Sequence, residues 1–132
     1  MKTKKGFTLI ELLAVIAILA ILVVIAVPSV LQLFNKGKDS AFISQAKTLY
    51  KAAKDEVTLD VINNSTVPPA YNNTTETLSI DVPANIEYNI EIKGEKIISF
   101  SINDGKKQIV ASDSNNNGII DIEEITNVTD KK

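Results

Sequence analysis

The chain has 132 residues with a formal net charge of −2, which is enough length for one small domain. It contains neither cysteine nor histidine, so disulfides, thiolate metal sites and the common nucleophile–base pairs of enzymes are excluded, and we expect no catalytic residues. Lys2, Lys4 and Lys5 all precede Gly6, so the remainder is more acidic than the whole chain, which argues against nucleic acid as a direct partner.

The N-terminal part of the chain reads as a membrane segment. Residues 1–6 are basic, and residues 7–27 are almost wholly apolar. About 20 apolar residues cross a hydrocarbon layer, and in lipid such a segment must be helical to satisfy its own backbone groups. The preceding lysines place the N-terminus on the cytoplasmic side. The single ionisable residue of the segment is Glu11, and a carboxylate at that depth is rare and usually functional.

Residues 28–62 are predicted to continue the same helix as an amphipathic segment. Pro28 opens it and leaves the carbonyl of Val24 without its helical hydrogen bond, which predicts a bend. Further on, apolar residues recur mostly three or four positions apart with charges between them, so we expect one face to pack on a sheet. The residues of this predicted stripe are Leu31, Phe34, Phe42, Ala46, Leu49, Ala53 and Val57.

Residues 63–132 are predicted to form a small antiparallel sheet. The stretch 63–77 is rich in Asn, Ser, Thr and Pro and reads as a loop, whereas later apolar residues alternate as in strands. Turns are predicted at Gly94 and at Asp104-Gly105. The predicted strands are residues 78–82, 86–92, 98–102 and 109–111. A helix followed by such a meander is an α+β plan.

A second motif lies near the C-terminus, where residues 113–124 fit the twelve-residue calcium loop D-x-[DN]-x-[DN]-G-x5-E. Gly118 permits the sharp turn, and the loop offers the hard oxygen ligands that calcium prefers. Two ligands are neutral Asn, so an affinity of about 10⁻⁴–10⁻³ M is expected. The alternative is an Asn/Asp/Gly-rich turn without metal. The predicted ligands are Asp113, Asn115, Asn117, Ile119 through its carbonyl, Asp121 and Glu124.

The string KKGFTLIELLAVIAILAILVVIAVP, which ends at Pro28, resembles the class III signal of type IV prepilins and pseudopilins. In that family a prepilin peptidase of the inner membrane cuts after the glycine and methylates the new N-terminus. The resemblance therefore implies cleavage between Gly6 and Phe7 and N-methylation of Phe7. It also implies that Glu11 is the acidic residue needed for assembly and that Pro28 is the helix-bending proline.

The resemblance implies a fold and a role. The fold is α+β and type IV pilin-like, with a long hydrophobic-then-amphipathic helix on a small antiparallel sheet. The implied partners are the membrane, the prepilin peptidase, an inner-membrane assembly platform with its ATPase, and further copies of the chain in a helical filament. We expect the chain in the cytoplasmic membrane before assembly and in a cell-surface filament afterwards, where it serves adhesion, motility or a related surface function.

Two alternatives to the pilus subunit stay open. One is a pseudopilin of a type II secretion or competence DNA-uptake system, since some major pseudopilins carry a C-terminal calcium site. The other is a membrane-anchored calcium-binding module that never assembles. Gly6 and Glu11 argue against the second alternative, because a plain anchor needs neither residue.

Overall fold

The computed structural model describes residues 6–111, 113 and 117–131. Along these residues the chain forms one long helix, five strands and a short 3₁₀ helix, which confirms the α+β class. The elements are α1 (Leu9–Ile62), β1 (Ala70–Asn72), β2 (Glu87–Lys93), β3 (Lys96–Asn103), β4 (Lys107–Ala111), the 3₁₀ helix (Ile122–Glu124) and β5 (Val128–Asp130). The chain divides into two compact units, Met1–Lys38 and Asp39–Lys132.

The first unit contains the apolar part of α1. Within the described residues, α1 is the one helix that is long and apolar enough to cross a membrane. The large apolar side chains of the first unit are exposed from Phe7, at 91%, to Phe34, at 59%. An apolar surface of this extent must be covered by lipid or by protein. α1 is the helix that was predicted from Phe7 to about Ile62, and it begins two residues later than expected, at Leu9.

The second unit is a five-stranded antiparallel meander packed against the C-terminal half of α1. The strand order is β1-β2-β3-β4-β5, so each strand pairs with its neighbours in sequence. In this register Ile90 faces Phe100, and Ile102 faces Ile109. Buried side chains alternate along β2 and β3, which gives the sheet one apolar face. The α1 residues in the core are Phe42, Ala46, Leu49, Tyr50, Ala53 and Val57.

The predicted stripe of α1 is wrong at its N-terminal end. Phe42 and the residues after it are buried as expected, but Leu31 is 57% exposed and Phe34 is 59% exposed. Helical spacing of apolar residues is the same whether a sheet, lipid or another copy covers them. The spacing therefore predicted the apolar face of the helix correctly. The prediction that Leu31 and Phe34 pack on the sheet was wrong, because both are exposed.

Three predicted strands are confirmed, as β2, β3 and β4, and the predicted strand over residues 78–82 is wrong. In that segment the Leu78 N–H donates to the Tyr88 hydroxyl at 3.1 Å, and the Ser79 N–H donates to Glu56 Oε1, also at 3.1 Å. Side chains thus satisfy backbone donors that a neighbouring strand would otherwise satisfy. Leu78 belongs to the core and Val82 packs against it, without strand pairing in this segment.

Two short strands were missed. β1 lies inside the stretch that was predicted to be a loop, and β5 lies at the C-terminal end. Each has only three residues, which is too short to show a clear alternating pattern. Each acquires extended structure by pairing with a longer neighbour. The predicted turns are confirmed, since Gly94 and Gly105 both have positive φ, at 66° and 87°.

One ion pair ties α1 to the sheet within the second unit. Lys107 Nζ, at the start of β4, contacts Asp39 Oδ1 on the helix. Lys107 is placed by the preceding turn, because its backbone N–H donates to Asp104 Oδ1 at 2.6 Å. The turn and the ion pair together hold the N-terminal end of β4 against α1.

Candidate functional site

The predicted cleavage site lies just ahead of α1. Gly6 and Phe7 have non-helical backbone and are exposed. Apart from its neighbours in the chain, no described residue has an atom within 4 Å of the place where a Cβ on Gly6 would sit. Among the described residues, nothing else therefore covers the peptide bond between Gly6 and Phe7, which a peptidase must reach.

Glu11 closes the first turn of α1 with Thr8. The Glu11 Oε2 atom accepts the Thr8 N–H at 2.8 Å and the Thr8 hydroxyl at 2.7 Å, and the Glu11 N–H donates to Thr8 Oγ1 at 3.4 Å. This reciprocal arrangement is a capping box, with Thr8 as the N-cap and Glu11 three residues later. It gives the carboxylate two hydrogen-bond donors within an otherwise apolar segment.

Thr8 was not among the residues singled out from the sequence. Its signal was present, because Thr-x-x-Glu before an apolar run is the sequence signature of a capping box. The cleavable signal occupies the same residues, and the sequence interpretation assigned Glu11 to assembly without a partner at Thr8. The hydrogen bonds involve only Thr8 and Glu11, so cleavage before Phe7 leaves both partners on the chain.

Pro28 lies inside α1, and the helix continues through it. Proline has no backbone N–H, so the Val24 carbonyl lacks its usual helical partner. The predicted bend therefore has a cause at this position. The residues around it are exposed, as they are along the rest of the first unit.

The predicted calcium loop is described at its two ends, and Asn115 lies outside the described residues. Asp113 Oδ1 accepts the Asn117 N–H at 3.1 Å, and Asp113 Oδ2 accepts the Gly118 N–H at 2.6 Å. Gly118 has a φ of 79°, so it makes the left-handed turn that the motif requires of this position. Asn117 Oδ1 accepts the Ile119 N–H at 3.0 Å. The carboxylate of Asp113 thus closes the loop on itself.

The far end of the loop forms the 3₁₀ helix. The Asp121 N–H donates to Glu124 Oε2 at 2.8 Å, and Asn117 Nδ2 lies 3.5 Å from Asp121 Oδ2. Among residues 6–111, 113 and 117–131, no three His, Cys, Asp or Glu side chains converge as a metal cluster would require. The loop offers carboxylate, amide and carbonyl oxygens as possible metal ligands, and oxygen ligands of these kinds are the ones that calcium prefers.

Comparison with known proteins gives one finding. Residues 1–27 match the prokaryotic N-terminal methylation motif. The match is consistent with the class III prepilin signal of type IV pilins and pseudopilins, and it supports a pilin-like or pseudopilin protein. Comparison with curated proteins and with solved structures gave no match.

The motif and the helix together define a class of protein. The signal implies processing by a prepilin peptidase and assembly into pilus-like filaments, and it points to a structural subunit and not to an enzyme. The exposed apolar helix and the motif indicate membrane anchoring. The motif and the helix thus support a pilin-like or pseudopilin protein with a membrane anchor.

Proposed function

We propose that this chain is a structural subunit of a type IV pilus, assembled from the cytoplasmic membrane into an extracellular filament. The observation that carries the proposal is a single carboxylate, Glu11, within residues 7–27, a segment whose large apolar side chains are all exposed. The capping box with Thr8 gives the carboxylate a local role in any membrane anchor, whereas only a repeating assembly can also pair its charge.

Assembly follows from the charges that processing creates. Hydrolysis between Gly6 and Phe7 leaves an amine on Phe7, which the peptidase then methylates. Glu11 lies four residues further along the same helix. A charge in lipid costs much free energy alone and far less when paired, so Glu11 of one subunit and the Phe7 amine of its neighbour satisfy each other. A contact of this head-to-tail kind repeats without closing, and it generates an open helical filament.

A second candidate is a pseudopilin of a type II secretion or competence system. It uses the same processing and the same helix, and the calcium-type loop favours it, since some major pseudopilins carry such a site. A non-assembling anchored module is the weakest candidate, because it explains neither Gly6 nor Glu11.

Intact-mass analysis of a fraction sheared from the cell surface tests the proposal. A pilus subunit is expected there without residues 1–6 and with one methyl group added to Phe7. Processed protein that stays in the membrane fraction indicates the pseudopilin instead. Protein found only in membranes and uncut contradicts both assembly candidates.

We further propose that residues 113–124 bind calcium. Support comes from the motif and from the described ends of the loop, where Asp113 holds the turn at Gly118. Asp113, Asn117, Asp121 and Glu124 would contribute side-chain oxygens and Ile119 its carbonyl, and Asn115 is the remaining motif position. Bound calcium supplies a divalent charge that draws these oxygens together and so stabilises the second unit.

The calcium proposal is tested by thermal unfolding of the full chain in detergent. Millimolar CaCl₂ is expected to raise the melting temperature, and Asp113→Ala is expected to abolish that rise. The rise is the quantity to compare, because Asp113 also stabilises the loop without metal. Asp55→Ala, which removes an exposed carboxylate from α1, is the control and should keep the full rise. A flat response in the wild type contradicts the proposal.

A further inference from the structure

Ile120, the eighth residue of the proposed calcium loop, contacts the core through its N–H, its carbonyl and its side chain. Its N–H donates to the Ile97 carbonyl in β3 at 2.8 Å, and its carbonyl accepts the Tyr50 hydroxyl of α1 at 2.6 Å. Its side chain is 2% exposed. The loop is therefore held at one backbone position by both the helix and the sheet.

Tyr50 is itself fixed in place. It is buried, and its ring meets Phe100 edge-on, with 6.1 Å between the ring centroids and 67° between the ring planes. Burial raises the pKa of the Tyr50 hydroxyl, and the negative charges of nearby loop carboxylates raise it further. Those carboxylates belong to Asp121, Glu123 and Glu124. The hydroxyl thus lies beside the acidic end of the loop, with little freedom to turn away.

The two bonds on Ile120 fix two consecutive peptide groups. A peptide group is planar, so a bond to its N–H also orients its carbonyl. The bond from the Ile120 N–H to Ile97 therefore orients the Ile119 carbonyl, a proposed calcium ligand. The Tyr50 hydroxyl holds the next group, which consists of the Ile120 carbonyl and the Asp121 N–H. That N–H donates in turn to Glu124 Oε2 at 2.8 Å.

We propose that Tyr50 is a positioning residue for the calcium loop, acting through a hydrogen-bonded chain that runs from its hydroxyl across the Ile120–Asp121 peptide group to Glu124. The inference rests on the calcium site proposed above. Hydrogen bonds in series polarise one another, and ligands held in place before binding lose less entropy when the ion arrives. Tyr50 therefore raises calcium affinity without touching the ion, and it couples the loop to the packing of α1.

The test is calorimetric titration of the full chain in detergent with CaCl₂. Tyr50→Phe keeps the ring and its contact with Phe100 and removes only the hydroxyl, and we expect it to raise the Kd about 10-fold, at the lower end of what loss of an outer-shell partner causes. Tyr88→Phe is the matched control. It also removes the hydroxyl of a buried tyrosine, and that hydroxyl contacts Leu78 at 3.1 Å, outside the loop. The Tyr88 hydroxyl has no part in the hydrogen-bonded chain to Glu124. The Kd of Tyr88→Phe should therefore stay within about twofold of the wild type, well below the change of about tenfold expected for Tyr50→Phe.

The outcomes separate the two proposals. An unchanged Kd in Tyr50→Phe, with the wild type still binding calcium, overturns the positioning role and leaves the calcium site standing. A wild type that shows no binding overturns the site and the positioning role together. Should Tyr50→Phe be unfolded without metal, circular dichroism gives the calcium concentration at which it folds. The positioning role requires that concentration to be higher for Tyr50→Phe than for Tyr88→Phe, and equal values overturn it.

Discussion

At the scale of single residues, Glu11 separates membrane insertion from assembly. We expect Glu11→Leu to insert and to be cleaved like the wild type, because neither step depends on a charge at this position. Filaments should be absent, since the neighbour's amine then has no partner in an apolar surrounding. Immunoblots of the sheared and membrane fractions measure both results at once. Wild-type filament yield from Glu11→Leu contradicts the pairing.

Thr8 provides the comparison variant for Glu11. Thr8→Val keeps the branched side chain and the bond from the Thr8 backbone N–H to Glu11, and it removes the two hydrogen bonds of the hydroxyl. Loss of a helix cap costs about 0.5–2 kcal/mol, far less than an unpaired charge in lipid. Filament yield should therefore fall only partly. A loss as complete as that of Glu11→Leu would mean that Thr8 has a role of its own in assembly.

Tyr71 gives the second unit a defined response to alkali. Its hydroxyl donates to Asp60 Oδ2 at 3.2 Å, and burial together with the negative charge of Asp60 raises the pKa of Tyr71 to about 12. The pKa of an unfolded tyrosine is about 10. A raised pKa means that the folded state keeps the proton more firmly, so this stabilisation is complete below pH about 10 and is lost as the pH rises toward 12.

Tyr71→Phe tests this response, because phenylalanine has no proton to lose. We expect the wild type to lose more stability than the variant between pH 8 and pH 12, so the difference between them should shrink. Urea unfolding of the chain in detergent, followed by circular dichroism, gives the free energy of unfolding at each pH. The two pH values, 8 and 12, span the range between the pKa of about 10 in the unfolded state and the pKa of about 12 in the folded state. A difference that is the same at both pH values contradicts the assignment. Lysine titration affects both proteins equally and cancels.

At the scale of elements, α1 approaches the sheet through small residues. Ala46 and Ala53 are fully buried between larger core side chains. Ala46→Leu inserts extra volume into a filled core and is expected to cost about 1–3 kcal/mol. Ala41→Leu makes the same change on an exposed position of the same helix and should stay within about 0.5 kcal/mol of the wild type. Tyrosine fluorescence during urea unfolding measures both, because all three tyrosines are buried in this unit. Equal costs at the two positions contradict the packing.

Most of the elements that the sequence predicted are those whose patterns are long, and β4, which was predicted from residues 109–111 alone, is the exception. The apolar run, the amphipathic half of α1 and the strands β2 and β3 all span several periods of their repeat. The segment 78–82 failed because Leu78 and its neighbours carry the right residue types but find side-chain partners for their backbone groups. β1 and β5 depend on pairing with distant residues, which no local pattern encodes.

The candidate sites divide in the same way. Gly6, Phe7, Glu11 and the loop from Asp113 to Glu124 belong to motifs that are contiguous in sequence, so their residue types alone identified them. The roles inferred for Thr8 and Tyr50 needed coordinates. Tyr50 lies 70 residues before Ile120, and its position on α1 is indistinguishable from that of any other buried residue of the helix until the fold is known.

At the scale of the whole molecule, every buried core residue among those that the structure describes lies between Phe42 and Ile125. Removing residues 1–38 therefore removes no buried side chain among the described residues and keeps the ion pair of Asp39 with Lys107. We expect the fragment 39–132 to be monomeric and soluble without detergent. Its melting temperature should lie within about 4–8 °C of the full chain, the shift that 1 kcal/mol produces in a domain of this size.

A shorter fragment provides the control. The fragment 47–132 lacks Phe42 and Ala46, and loss of a buried phenylalanine alone costs about 3–5 kcal/mol. It should be unfolded or much less stable. Calorimetry of both fragments measures the difference. A fragment 39–132 that fails to fold would mean that the first unit contributes to the stability of the second.

The hydrogen bonds between Thr8 and Glu11 bear on how a filament comes apart. In the single chain the carboxylate already has donors, so joining a filament exchanges one satisfied state for another. The free energy gained per subunit is the difference between the two states and not the full strength of an ion pair in lipid. A subunit that leaves can return to the membrane with its carboxylate capped again. Within the proposed filament, shrinkage therefore leaves the Glu11 carboxylate hydrogen-bonded, and the Phe7 amine is the charge that loses its partner.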